Sequence, residues 1–148
     1  MPAPTEVQSA TLKKFLQGWE TITAESWTGL WSDNCTQQFL PFSLGLPPKS
    51  REEVLQTLPK LLSVLRDWKL DIHHVVHDPA HSKAAIYATS TANTIFGDFK
   101  WNNDYAIFVM LTEDGRQIDR IQEMVDTAFF GEFSSRFQKY MSQQGAPP

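Results

Sequence analysis

The order of the periodic patterns in this sequence predicts an α+β fold. Over the first 65 or so residues, apolar side chains recur at helical spacing, whereas from residue 68 onward they alternate with a period of two. A final segment, FFGEFSSRFQKY, returns to helical spacing. Helices followed by consecutive strands, without alternation between the two, favour an antiparallel sheet with helices packed against it.

Length and composition suit a single domain that spans residues 1–148. The chain is 41% hydrophobic and 12% aromatic, which is enough for a packed core. Its net charge is −4 and Lys and Arg do not cluster, so we expect no nucleic-acid partner. No apolar run approaches the roughly 20 residues that cross a bilayer, and the first residues lack the apolar core of a signal peptide. We therefore expect a cytoplasmic protein with no membrane partner, and frayed tails at residues 1–6 and 143–148.

Three helices are predicted before the strands. The first covers residues 6–22 and has an apolar stripe on one side, and a short second helix covers residues 24–31. The third has the clearest start, because Ser50 followed three residues later by Glu53 forms a capping box. Pro59 should remove one backbone hydrogen bond from this helix and bend it.

The segment NCTQQFLPFSLGLPPK, between the second and third helices, is rich in proline and apolar side chains. We interpret it as an ordered, partly buried connection, which is uncommon for a plain linker. Its Cys35 could be a nucleophile, but the neighbouring residues offer no visible activation. A free buried thiol is therefore the favoured interpretation.

Four strands are predicted in the second half of the chain. They cover about residues 68–77, 83–96, 99–111 and 117–125, with turn residues between them. The middle two are long compared with the usual 5 or 6 residues, and long strands twist and curl. We therefore predict a curved antiparallel sheet of four or more strands, wrapped by the N-terminal helices and closed by a C-terminal helix. If the helices do not fill the concave side, a pocket remains.

An acidic residue, Glu123, stands among apolar residues in the last strand. If the last hairpin has a three-residue loop, Tyr105 lies opposite Glu123, and Trp101 shares their face. If the loop has two residues, Tyr105 pairs with Met124 and every side chain changes face. The sequence leaves both registers open.

An acid among apolar residues on a concave face has a raised pKa, and a tyrosine beside it can share or transfer a proton. Glu123 and Tyr105 are therefore candidate acid/base catalysts that need neither a cofactor nor a metal. The alternative is a structural Glu–Tyr hydrogen bond. Asp126 is a second catalytic candidate, although its position at a strand end also suits a helix cap.

The histidines suggest a metal site at first sight, but their spacing does not fit one. His73 and His77 would lie about 13 Å apart along one strand, which is too far to share an ion. We therefore expect no metal. His73 remains a candidate acid/base residue of the pocket.

Five short motifs carry a resemblance to a known family. They are CTQQFLP (35–41), SLG (43–45), ATSTA (88–92), NDY (103–105) and IDRIQEMVD (118–126). Together with the order of the elements, they resemble the SnoaL-like branch of the NTF2-like superfamily over nearly the whole chain. The resemblance is strongest to small fungal enzymes of secondary metabolism: the meroterpenoid isomerases of the terretonin and austinol type and the semipinacolase of brevianamide biosynthesis.

This resemblance implies an α+β cone, usually a homodimer, that uses no cofactor. Such enzymes rearrange, cyclise, dehydrate or hydrolyse a bound intermediate by acid/base catalysis. By the same resemblance, the reactive acid maps onto Glu123 and two aromatic residues of the third predicted strand map onto Trp101 and Tyr105. Gln38 occupies the position of a basic residue, and it lacks the positive charge that would stabilise an oxyanion.

We therefore expect an isomerase or cyclase that acts on a hydrophobic polycyclic intermediate of secondary metabolism. Glu123 and Tyr105 would act in the chemistry, and Gln38 would orient a carbonyl or hydroxyl group. The other expected pocket residues are Trp101, Trp31, Phe42 and Leu65. The alternative is a non-catalytic NTF2-like module that binds a small molecule or a protein, which the missing basic residue at Gln38 favours.

Overall fold

A computed structural model describes residues 1–145, and the last part of the predicted C-terminal tail, 146–148, lies outside the described residues. The helices are α1 (Thr5–Glu20), α2 (Ala24–Thr28), α3 (Arg51–Leu62) and α4 (Thr127–Gly145). The strands are β1 (Trp31–Leu40), β2 (Lys49–Ser50), β3 (Leu65–Asp78), β4 (Lys83–Thr94), β5 (Lys100–Leu111) and β6 (Ile118–Val125). Both predicted tails are shorter than expected, because α1 and α4 extend into them.

One curved, open sheet connects all six strands in the order β2-β1-β6-β5-β4-β3. The four strands β3 to β6 form the predicted antiparallel meander. The prediction of an α+β fold with a curved sheet and a closing C-terminal helix is therefore confirmed. Within residues 1–145, no helix is both long enough and apolar enough to cross a membrane.

The ordered connection predicted after the second helix contains a strand that was not predicted, because residues 31–40 form β1. This strand lies parallel to β6, with Gln37 opposite Ile121. Its register shifts between Trp31 and Thr36, so regular alternation covers only the last few residues. A pairing partner more than 80 residues away and an interrupted alternation leave little local signal for a strand.

Both predicted registers of the last hairpin were wrong as well. Tyr105 pairs with Val125, and Ile107 pairs with Glu123. The turn is longer than predicted, since the Thr112–Gln117 segment closes it with a backbone hydrogen bond of 2.9 Å. Relative to the three-residue loop, the pairing has moved by two positions. An even shift preserves the face, so Tyr105 and Glu123 both point to the inner side of the sheet.

The start of α3 is the one predicted from the sequence. The Ser50 hydroxyl accepts a hydrogen bond from the Glu53 backbone N–H at 3.2 Å, and the Glu53 carboxylate accepts one from the Ser50 backbone N–H at 3.3 Å. This reciprocal pair satisfies two of the free donors at the helix start. It fixes the position at which α3 begins to cover the concave side of the sheet.

Two groups of buried apolar side chains hold the helices on the sheet. The larger group joins α1 and α2 to the middle strands, and includes Phe15, Trp19, Trp31, Ile107 and Ile121. The smaller group joins α4 to the ends of β3, β4 and β5, and includes Leu65, Ala92, Trp101 and Phe133. The space between these two groups is not filled by side chains.

Candidate active site

A cavity of about 260 Å³ lies between the inner face of the sheet and helices α3 and α4. Most of its wall is aromatic or aliphatic. The large apolar side chains are Trp19, Trp27, Trp68, Trp101, Phe129 and Phe133. A concave, apolar site with a few polar groups is the usual form of a small-molecule site.

Glu123 is the acid of this cavity. It lies on β6 between Phe39 and Ile107 of the neighbouring strands, and only 5% of it is exposed. Burial raises the pKa of its carboxyl to about 7, although a hydrogen bond from the Gln37 amide and the positive charge of Lys49 act in the opposite direction. Near neutral pH this group therefore exists in both protonation states, so that it can either take or give a proton.

Gln37 is held in one orientation next to Glu123. The Trp27 indole N–H donates to the Gln37 side-chain oxygen at 3.3 Å. An indole nitrogen is a donor only, so the amide oxygen must face Trp27 and the amide nitrogen must face away from it. The Gln37 N–H groups are thereby available to the Glu123 carboxylate and to the cavity.

Tyr105 belongs to a buried chain of hydrogen bonds. The Trp101 indole N–H donates to the Ser90 hydroxyl at 2.7 Å, and this hydroxyl lies 2.8 Å from the Tyr105 hydroxyl. Burial and the nearby negative charge of Glu123 raise the pKa of Tyr105, against the opposing hydrogen bonds of Ser90 and Asn103. Tyr105 is therefore protonated at neutral pH, so its hydroxyl can donate a hydrogen bond or a proton.

The structure also places residues in the cavity that the sequence analysis missed. Asn103 alternates with Trp101 and Tyr105 on β5, so the period of two already contained the signal for it. Lys49 and Gln37 face each other across β2 and β1, and finding them required the strand that was not predicted. Lys49 brings a positive charge to the cavity wall. The sequence had indicated that this charge was missing, because Gln38 occupies the position of a basic residue.

The predicted pocket residues fall into two groups. Trp101 and Leu65 line the cavity as expected. The cavity wall does not include Gln38, Phe42 or Trp31. The side chain of Gln38 lies on the other face of β1 from Gln37, with its amide nitrogen 3.3 Å from the Leu46 carbonyl oxygen. Phe42 is 68% exposed, and Trp31 is completely buried in the core.

The two second-rank catalytic candidates lie outside the cavity. The Asp126 carboxylate is exposed and accepts hydrogen bonds from the backbone N–H groups of Ala128 and Phe129, at 3.1 and 3.2 Å, which caps the start of α4. His73 is exposed on the outer face of the sheet, 2.9 Å from the Thr89 hydroxyl. In residues 1–145, no three His, Cys, Asp or Glu side chains come close enough to form a metal site.

Comparison with known proteins identifies relatives of this chain. No protein-family model matches the chain. Two curated fungal relatives align with it almost from end to end. Monooxygenase dmxR10 of Cryptosporiopsis sp. (strain 8999) is 58% identical over 147 residues, covering 99% of this chain and 98% of the relative. Monooxygenase AacuO of Aspergillus aculeatus is 44% identical over 147 residues, covering 99% and 91%.

Solved structures show the same fold at low sequence identity. BvnE pinacolase from Penicillium brevicompactum superposes with a TM-score of 0.81 at 18% identity, covering 89% of this chain and 91% of that one. PrhC from Penicillium brasilianum gives a TM-score of 0.78 at 21% identity, covering 93% and 91%. A curved sheet whose concave side encloses a cavity under helices is the SnoaL-like form of the NTF2-like fold. The chain belongs to the family of fungal proteins that includes dmxR10 and AacuO. Its fold is the SnoaL-like fold that its motifs had indicated.

Proposed function

We propose that this protein is a cofactor-independent isomerase or cyclase that acts on a hydrophobic polycyclic intermediate of secondary metabolism. The observation that carries the proposal is the buried Glu123 carboxyl, with a pKa of about 7, in the wall of an apolar cavity. A carboxyl group tuned to neutral pH beside a protonated tyrosine suits proton transfer. The fold of BvnE pinacolase supports the same class of chemistry.

The proposed reaction begins with proton removal by Glu123. Its carboxylate takes a proton from a substrate carbon next to a carbonyl group, and the electron pair of the C–H bond moves to the carbonyl oxygen. Tyr105 donates a hydrogen bond to this developing enolate oxygen. Glu123 then returns its proton to a different atom of the substrate, which completes an isomerisation. In a cyclisation, the enolate carbon instead attacks a second carbonyl group of the same molecule, and the proton goes to the new alkoxide.

A second candidate function starts from the same enolate. The curated relatives carry the name monooxygenase. An electron-rich enolate can react with dioxygen directly: a methylene group becomes a carbonyl group, one oxygen atom stays in the product, and the other leaves as water. The substrate supplies all the electrons that reduce dioxygen, and both hydrogens of the methylene group end in the water. Glu123 would play the same part in both reactions, and only the fate of the enolate differs.

The test uses the small molecule that copurifies with the protein from its own cells, identified by native mass spectrometry. Wild type, Glu123→Gln and the exposed control Glu113→Gln are incubated with it, with and without dioxygen. We expect Glu123→Gln to lose about 10²- to 10⁴-fold in turnover and Glu113→Gln to match wild type. Conversion without dioxygen identifies an isomerase or cyclase, whereas dioxygen uptake matched to product identifies the monooxygenase. Full activity of Glu123→Gln would disprove the assignment, and a tightly held molecule that is never converted would indicate a binding module.

We also propose that the protein forms a homodimer through the outer face of its sheet. Val76, Ala85 and Phe108 form a continuous row across β3, β4 and β5 on this face. Val76 is 65% exposed and Phe108 is 45% exposed, and Met124 and Tyr87 add further exposed apolar surface. An exposed apolar patch on a sheet of this size suits contact with a second copy.

A further inference from the structure

We infer that Ser90 is a positioning residue, which fixes the Tyr105 hydroxyl as a hydrogen-bond donor toward the cavity. Ser90 is the centre of the motif ATSTA (88–92), to which the proposed reaction gives no part. It lies behind the cavity wall and does not line it. The inference rests on the proposed function, in which Tyr105 donates to an enolate oxygen, and it identifies the residue that gives this donor its direction.

The register of β4 and β5 places Ser90 between two large side chains that each carry a polar tip. Ser90 pairs with Asn103, and Trp101 and Tyr105 lie two positions to either side of Asn103 on the same face. Both are therefore diagonal neighbours of Ser90, within reach of its hydroxyl. Their own direct partners on β4 are two alanines, Ala92 and Ala88, which leave room for the rings.

The hydrogen bonds of Ser90 have only one favourable direction. The Trp101 indole N–H donates to the Ser90 hydroxyl at 2.7 Å, and an indole nitrogen cannot accept in return. The Ser90 hydroxyl also lies 2.8 Å from the Tyr105 hydroxyl, and within residues 1–145 it makes no third hydrogen bond. If Tyr105 donated to it, the proton of Ser90, which is 1% exposed, would be buried without an acceptor. Ser90 therefore donates to Tyr105.

This direction leaves the Tyr105 proton for the cavity. The hydrogen bonds run from Trp101 to Ser90 and from Ser90 to Tyr105, and each one polarises the next, so Tyr105 becomes a stronger donor. The donor is oriented before a substrate arrives, which is the arrangement that best stabilises a developing enolate oxygen. Trp101 thus has two parts in the site: its ring forms cavity wall and its nitrogen fixes the direction of the chain.

The direction can be measured without a ligand, from the NMR signal of the Trp101 indole proton. The five tryptophans give five indole signals, and Trp101→Phe identifies the one that belongs to Trp101. If Ser90 donates to Tyr105, Tyr105→Phe removes the acceptor of Ser90, weakens the bond from Trp101 and lowers the chemical shift of this proton. If Tyr105 donates to Ser90, the same variant removes a competing donor and raises the shift.

We expect the lower shift, and a higher or unchanged shift would overturn the inference. The matched control is Tyr87→Phe, which removes a tyrosine hydroxyl from the outer face of the same sheet and should leave the Trp101 signal in place. Because Tyr105→Phe keeps the ring, this test does not depend on whether a variant of Ser90 folds.

A double-variant cycle then tests whether Ser90 acts through Tyr105. With the copurified molecule as substrate, Tyr105→Phe should lower kcat about 10²-fold and Ser90→Ala about tenfold. KM should stay within about twofold in both, because the donor acts on charge that develops only in the transition state. The combined variant should match Tyr105→Phe within about twofold, since the donor that Ser90 positions is already absent.

The control for this cycle is Thr91→Val, which removes the neighbouring hydroxyl on the exposed side of β4 and should keep the kcat of wild type. A further tenfold loss in the combined variant would show that Ser90 acts independently of Tyr105 and would overturn the inference. An unchanged kcat in folded Ser90→Ala would overturn it as well.

The two measurements separate the inference from the proposed function. A lower Trp101 shift in Tyr105→Phe, without any conversion of the copurified molecule, would support the positioning of Tyr105 by Ser90 and refute the enzyme. Conversion that depends on Glu123, together with a higher Trp101 shift in Tyr105→Phe, would support the enzyme and refute the part given to Ser90.

Discussion

The indole N–H of Trp27 donates to the side-chain oxygen of Gln37 at 3.3 Å, and this contact turns the Gln37 amide nitrogen toward Glu123. The reverse orientation would bring two donors together in a buried place, which is costly. The carboxylate of Glu123 therefore meets a donor that is already oriented before any substrate arrives. Preorganised donors of this kind stabilise charge without reorganisation during the reaction.

The first prediction removes the group that orients Gln37. In Trp27→Phe the amide is free to rotate, and Glu123 loses part of the hydrogen bonding that opposes its raised pKa. The pKa of Glu123 should therefore move further upward. If Glu123 acts as a base, the rise of turnover with pH should move to higher pH in this variant, as measured by a profile of kcat/KM.

A matched control for this variant is Trp31→Phe. Trp31 is equally buried, but in the described residues its indole nitrogen has no hydrogen-bond partner. Both changes leave a cavity in the core and lower the stability. Only Trp27→Phe should move the pH profile, and identical profiles in the two variants would show that Gln37 needs no orienting partner.

The second prediction concerns the decrease in the free energy of unfolding that occurs when buried Glu123 ionises. Its pKa is about 7 in the folded protein against 4.5 for an ordinary glutamic acid, so the folded state binds the proton more tightly. Stability should therefore be full below pH 4.5 and fall as the pH rises toward 7. A difference of this size corresponds to about 3 kcal/mol.

The measurement compares the free energy of unfolding of Glu123→Gln and wild type at pH 4 and pH 8 by urea titration. The variant should gain about 3 kcal/mol relative to wild type between the two pH values, because its amide carries no charge to bury. The exposed Glu113→Gln should differ from wild type by less than about 0.5 kcal/mol at either pH. A stability difference that does not change with pH would contradict the perturbed pKa.

The pocket residues that the sequence placed wrongly lie in β1 or directly after it. Glu123, Tyr105 and Trp101 were placed near the pocket because alternation and turn signals in β5 and β6 are local. Gln38, Trp31 and Phe42 were misplaced because their orientation depends on β1, which pairs with a strand more than 80 residues away. Consecutive residues of a strand face opposite sides, so without β1 the sequence could not choose Gln37 over its neighbour.

The register error in the last hairpin had a different origin and a smaller consequence. The turn contains six residues and β5 ends with a shift between Met110 and Leu111, neither of which turn preferences specify. The face of Glu123 was nevertheless correct, because the error was an even number of positions. The neighbourhood of Glu123 could thus be predicted from the sequence, whereas its direct strand partner could not.

The third prediction separates the helix cap from the active site. Asp126→Ala removes the carboxylate that accepts from the N–H groups of Ala128 and Phe129, and should lower the free energy of unfolding by about 1 kcal/mol. Asp126→Asn keeps a side-chain oxygen that can accept these hydrogen bonds, so it should lower the free energy of unfolding by less. Turnover should stay unchanged in both variants, as it should in His73→Ala, which alters only the outer face. A loss of turnover in Asp126→Asn without loss of stability would instead assign the carboxylate a part in the chemistry.

The fourth prediction tests the proposed dimer. Phe108 lies in the centre of the exposed row that joins Val76 and Ala85, so a charge at this position would be buried between two copies without a partner. We expect Phe108→Glu to be monomeric by light scattering at concentrations where wild type is dimeric. Phe42→Glu is the control, since Phe42 is even more exposed, at 68%, but lies in the turn after β1 and outside the row. The cavity is lined by residues of one copy, so monomeric Phe108→Glu should still hold the copurified molecule. Equal molar masses for all three proteins would refute an interface on this face.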